Sequence, residues 1–196
     1  MNVDDRQPSW IIAPDDLSAD HLRCEYLVVG SGAGGSVAAK TLAEAGKDVL
    51  VIEEGGYWPA EALPYDFSGG LNRLYRNNGI VPFLGSPMVP FAEAQCVGGG
   101  TTINGALFWR TPEWILNAWR DEQGLEGYGS ADLASHFDTL ESDLKVAQQP
   151  LDFESNRDSQ LLFEGARSLG WKPSPVPRAV LECKNVNLCP IGCAPC

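Results

Sequence analysis

The stretch from Glu25 to Gly56 limits the possible folds more than any other part of the chain. Tyr26-Leu27-Val28-Val29 is a short apolar run closed by Gly30, and Gly30-Ser31-Gly32-Ala33-Gly34-Gly35 follows. From Ser36 the residues favour a helix with Val37, Ala38, Leu42 and Ala45 on one face. Gly46 supplies the left-handed stop common at helix C-termini. Asp48 leads into a second apolar run, Val49-Leu50-Val51-Ile52, which closes at Glu53-Glu54-Gly55-Gly56. Strand, glycine turn, helix and strand in this order, with both strands continuously apolar, predict a parallel pair buried on both faces. The fold class is α/β, with a Rossmann-like parallel sheet.

The glycine turn satisfies G-x-G-x-x-G, a weak pattern alone and a strong one between a strand and a helix. Gly30 allows the tight turn, Gly32 lets a pyrophosphate approach the backbone, and Gly35 permits close packing of helix on strand. The helix N-terminus offers unpaired N–H groups and partial positive charge to phosphates. An acidic residue is needed about 20 positions on, at the end of the second strand, to hold a ribose. Glu53 stands there. Its carboxylate would repel a 2′-phosphate, which disfavours NADP, while the motif leaves FAD and NAD both open. The candidate dinucleotide contacts are Gly30, Ser31, Gly32, Ala33, Gly34, Gly35 and Glu53.

The net charge of −12 over 196 residues argues against binding nucleic-acid phosphates or an anionic membrane face. No apolar run approaches the roughly 20 residues of a membrane-spanning helix. The start, Met1-Asn2-Val3-Asp4-Asp5-Arg6, lacks the basic and apolar regions of an export signal, so a cytoplasmic protein is expected. Residues 57–97 are rich in glycine, proline and aromatic residues without periodicity, the character of a functional cover or binding loop. Further on, Thr111 is expected to cap a helix with Pro112 at its first position. Ser130 is expected to cap another that carries Leu133, Phe137, Leu140 and Leu144. A third helix is expected from Asp158 to Leu169, ending at Gly170.

A second glycine turn runs Val97-Gly98-Gly99-Gly100-Thr101-Thr102-Ile103-Asn104-Gly105. Its successive N–H groups suit an anion-binding concavity, with the hydroxyls of Thr101 and Thr102 and the Asn104 amide adding hydrogen bonds. Taken alone it reads equally as a glycine-rich loop between two elements. Together with Gly30 to Gly35, Glu53-Glu54-Gly55-Gly56, Arg110 and Trp119, however, it resembles the glucose–methanol–choline (GMC) oxidoreductase family. The family's G-G-S-S-x-x-N-G segment is matched by Gly98 to Gly105, with Gly100 and Thr101 at the two serine positions.

The resemblance implies FAD, with Gly30, Gly32 and Gly35 at the pyrophosphate, Glu53 on the adenosine ribose, and Gly98, Gly99, Thr101, Thr102, Asn104 and Gly105 along the flavin. Some family members attach the flavin to a histidine just before the asparagine; Ile103 in that place implies non-covalent FAD. The resemblance also implies three regions: an N-terminal extension over 1–24, the N-terminal part of an FAD-binding domain over 25–145, and the beginning of a substrate domain over 146–196. It is closest to the long-chain (fatty) alcohol oxidase branch. The implied activity is oxidation of the CH–OH group of a small-molecule alcohol, with the electron acceptor left open.

The family's catalytic histidine comes late in the chain, and neither His21 nor His136 fits it, so no catalytic residue is assigned here. Cys183, Cys189, Cys193 and Cys196 crowd the end of the chain, and a sequence stopping on Cys196 is expected to continue. Their C-x5-C-x3-C-x2-C spacing matches neither two tight zinc pairs nor a bacterial ferredoxin run, and no metal is assigned. Two alternatives follow from these features: a metal or iron–sulfur module built on the cysteines, and an NADH-using flavoprotein with two dinucleotide sites.

Overall fold

The computed structural model describes residues 8–18, 21–63, 66–148 and 157–181. They fall into two compact units, one reaching to Gly105 and the other starting at Ala106. In the first, β1 (Tyr26–Val29) and β2 (Val49–Ile52) pair in parallel, from Tyr26 opposite Val49 to Val29 opposite Ile52. Parallel strands need a crossover, and α1 (Ala33–Glu44) supplies it, packing on both strands. The helix begins at Ala33, earlier than the Ser36 start expected, because Gly34 and Gly35 take up its first turn. Gly46 follows it with φ +74°.

This is the α/β, Rossmann-like unit that the sequence predicts, with one correction. The strands are not buried on both faces: Val29 is 75% and Leu27 55% exposed, and α1 buries no residue completely. Full burial of a parallel strand needs packed elements on both sides, and β1, β2 and α1 supply only part of that cover.

Residues 57–97, expected to be an aperiodic loop, hold short regular elements. Helix α2 (Phe67–Leu74) is N-capped by Asp66, whose Oδ1 accepts from Gly69 N at 2.7 Å. Its last residue, Leu74, is completely buried. Strands β3 (Val81–Phe83) and β4 (Val89–Phe91) form a hairpin in which Pro82 faces Pro90. Two prolines fit opposite one another only at a pair that exchanges no hydrogen bonds. A parallel bridge joins Gly56 to Cys96 and an antiparallel one joins Tyr75 to Ala94. Leu74 and Cys96 are the largest fully buried side chains among the described residues, and Cys96 is 1% exposed.

The second unit contains α4 (Glu113–Gln123), α5 (Ser130–Asp143), α6 (Arg157–Ser168) and a short antiparallel pair, β5 (Ala147–Gln148) with β6 (Pro177–Arg178). Two expected caps lie one residue away from their predicted positions. Pro112, not Thr111, is the N-cap of α4. Gly129, not Ser130, is the N-cap of α5, where the Asp132 carboxylate accepts from Gly129 N at 3.0 Å. An acid at the third helical position can satisfy the orphan N–H from inside the helix. Arg110 is bound to α5 by Asp138 and Glu141, with its guanidinium over the Phe137 ring. Gly124 and Gly170, at φ +68° and +77°, end α4 and follow α6. Leu116 and Val180 are the buried residues of this unit among those described. No described helix is long and apolar enough to cross a membrane. The four terminal cysteines lie outside the described residues, and among the described ones no group of metal-ligating side chains is present.

Candidate dinucleotide site

The fingerprint turn owes its shape to its glycines. Gly30 has φ +89°. A Cβ on Gly35 would lie 1.9 Å from the Gly30 carbonyl oxygen, so no side chain fits where helix meets strand. The Cβ positions of Gly30, Gly32 and Gly34 meet nothing within 4 Å, leaving the backbone open to an approaching phosphate. Gly32 is the N-cap of α1, and the helix carries no acidic residue in its first turn to compete with an anion there. This open, donor-bearing turn fits a pyrophosphate.

Glu53 follows directly after β2 and turns toward the fingerprint. Its Oε2 accepts from Ser31 N at 2.9 Å and from Ser31 Oγ at 2.7 Å, and its Oε1 accepts from Gly55 N at 3.0 Å. Burial pushes the carboxyl pKa up, but these hydrogen bonds from Ser31 and Gly55 prevail and hold it below its ordinary value. The Glu54 amide also favours the charged form, both carboxylate oxygens are engaged by the protein, and a ribose hydroxyl would join these donors. Glu54 faces elsewhere: its oxygens accept from Arg76 Nη1 and Nη2 at 2.7 and 2.6 Å and from Gln95 Nε2 at 2.6 Å. Arg76 is also held by Glu93 at 2.7 Å.

The second glycine turn lies against the first. Gly98 N donates to Ser31 Oγ at 2.9 Å, and a Cβ on Gly99, whose φ is +53°, would come within 3.0 Å of Gly32 Cα. Gly100–Ile103 close into a single helical turn, α3. The turn is not the anion-binding concavity its composition suggests. The amides of Gly98, Gly99, Thr101 and Thr102 donate to Ser31 Oγ, Cys96 O, Gly98 O and Gly99 O respectively. The Thr101 and Thr102 hydroxyls donate to Gly98 O at 2.6 Å and Val97 O at 3.0 Å. These donors are engaged by the protein itself, Gly98 N by Ser31 and the others within or directly before the segment, which stands as a wall beside the first turn. Gly99, Gly100, Ile103 and Asn104 line an open hollow of about 600 Å³ together with Tyr75 and Phe91. Gly105 is the last described residue of this unit.

The structure therefore brings Gly30 to Gly35, Glu53 and the start of the second turn together in one unit. Three features went unread in the sequence. The Ser31 hydroxyl joins Glu53 to Gly98, although the fingerprint leaves that position free. Gly55 is required because a Cβ there would fall 2.1 Å from the Gln95 carbonyl carbon. Cys96 is buried beside this contact, and its thiol pKa is pushed up by burial and by the nearby Glu53 charge. The isolated cysteine and the first glycine of the Gly55-Gly56 pair carried no spacing that could have revealed them.

The family model described as GMC oxidoreductase matches residues 24–195. An uncharacterized GMC-type oxidoreductase of Mycobacterium tuberculosis is 40% identical over 184 residues, covering 90% of this chain and 29% of that protein. A long-chain-alcohol oxidase of Arabidopsis thaliana is 34% identical over 176 residues, covering 89% of this chain and 23% of that one. The chain thus spans less than a third of the length of these relatives. Among solved structures, an FAD-dependent oxidoreductase from Chaetomium thermophilum shares the fold at a TM-score of 0.54, with 19% identity, over 81% of this chain and 34% of its own. The chain belongs to the GMC oxidoreductase family, and the cofactor of that family's FAD-binding domain is FAD.

Proposed function

We propose that this chain holds FAD for the oxidation of the CH–OH group of a small-molecule alcohol, the long-chain alcohols being the first class to test. The observation that carries the reading is the inward-turned Glu53 beneath an open glycine turn. The name of the Arabidopsis relative supports the substrate class. When bound, FAD supplies the hydride acceptor.

Gly30, Gly32 and Gly35 shape the seat of the pyrophosphate, with Ala33 and Gly34 opening the helix above it. The Glu53 carboxylate takes a ribose hydroxyl. The wall from Gly98 to Asn104 and Gly105 flanks the flavin ring along the hollow. Ile103 offers no nucleophilic nitrogen, so the cofactor is held without a covalent bond. A base that takes the hydroxyl proton must stand about 2.6–3.2 Å from it. His21 and His136 are both exposed, one ahead of β1 and one on α5, and neither is given that role.

The test is anaerobic mixing of the protein, isolated from its source with its flavin retained, with primary alcohols of increasing chain length and separately with NADH. Bleaching of the oxidised flavin by an alcohol, with little by NADH, is expected. Reduction by NADH alone contradicts the reading.

A further inference from the structure

Ser31 is 8% exposed and is the buried polar residue among those described. Its polar atoms are all engaged. The amide and hydroxyl both donate to Glu53 Oε2, the hydroxyl oxygen accepts from Gly98 N, and the carbonyl accepts from Ser36 Oγ. Nothing in the G-x-G-x-x-G turn itself asks for a hydroxyl at this position, since the pattern leaves it free. The hydroxyl links the fingerprint turn to both the end of β2 and the second glycine turn, which are far apart in sequence.

We infer that Ser31 is a positioning residue whose hydroxyl fixes the ribose-facing carboxylate of Glu53 and the flavin-flanking turn at Gly98 in one register. The inference rests on the FAD reading above. A hydroxyl donating to a carboxylate is polarised and becomes a better acceptor, so the bonds to Glu53 and from Gly98 strengthen one another. Without the hydroxyl, the Gly98 N–H loses its acceptor and the turn is freed to shift. Gly99 would come within 3.0 Å of Gly32 if it carried a Cβ, so even a small shift reaches the space above Gly32. Both ends of FAD are then disturbed by one substitution, whereas in Glu53→Gln the Ser31 hydroxyl still accepts from Gly98 N and the loss falls mainly on the adenosine end.

The experiment uses the 196-residue chain with two probes, FAD and ADP, and the visible circular dichroism of the bound flavin. Glu53→Gln is expected to weaken ADP and FAD by a similar factor and to leave the flavin dichroism unchanged. Ser31→Ala is expected to weaken FAD about ten- to a hundred-fold and to alter the dichroism. Ser31→Cys, nearly the same size with a poor donor and acceptor, is expected to fall between the two and decides the matter if the alanine variant does not fold. The double substitution Ser31→Ala with Glu53→Gln should lose less than the product of the single losses. Wild-type affinity and dichroism in the serine variants, or fully multiplicative losses, overturn the inference while leaving the FAD reading intact. A wild-type chain that binds neither probe overturns the FAD reading, and the inference with it.

Discussion

Glu53 and Glu54 are neighbours in sequence with different partners. Side chains alternate along a strand, and the two carboxylates leave the end of β2 in different directions, one to Ser31 and Gly55 and the other to Arg76 and Gln95. The hydrogen bonds to Glu53 favour its ionised form, and the sign of the resulting pH dependence follows. A carboxyl held below its unfolded value contributes stability above that ordinary value, 4.5, and loses it as the pH falls through the lower, folded one. Denaturant midpoints measured from neutral to acid pH are therefore expected to fall more steeply below pH 4.5 in the wild type than in Glu53→Gln. Parallel profiles for the two proteins would show that Glu53 is not held ionised by these bonds.

At the scale of elements, local chemistry was legible and long-range pairing was not. β1, the glycine turn, α1 and β2 could be read because apolar runs, three glycines and Gly46 each act within a few residues. α2 could not, since it is only eight residues long and contains Gly69-Gly70, a pair that reads as a turn. The caps of α4 and α5 lie one residue before or after the expected ones because Pro112 takes the N-cap position of α4 and Asp132 satisfies Gly129 N from inside α5. The junction of Glu53, Ser31 and Gly98 depends on tertiary contact, and no local pattern announces it. Within the fingerprint the two adjacent glycines should behave differently. Gly35→Ala puts a Cβ 1.9 Å from the Gly30 carbonyl and is expected to abolish the turn and with it FAD binding. Gly34→Ala meets open space in a helical turn and is expected to keep the fold, raising stability by about 0.5–1 kcal/mol in thermal melts without cofactor. Equal melting behaviour of the two variants would contradict the packing described here.

Over the whole molecule, the apolar faces of β1 and β2 remain substantially open, with Leu27, Val29, Val51 and Ile52 all exposed. Contiguous apolar surface of this kind marks a contact region or an aggregation hazard. The 196-residue chain is accordingly expected to bind 8-anilinonaphthalene-1-sulfonate in its folded state, and Val29→Thr should reduce that signal; a chain that binds no dye before unfolding would show that these strands are covered. The dinucleotide site does not depend on those faces, because its contacts lie in the turns and at the C-terminal end of β2. The central claim, that Glu53 at this end anchors FAD, is tested most directly by titrating FAD into the wild type, Glu53→Ala and Glu54→Ala. The account predicts saturable binding by the wild type, a loss of about ten- to a hundred-fold in Glu53→Ala, and little change in Glu54→Ala; equal affinities for all three proteins, or equal losses in both variants, would contradict it.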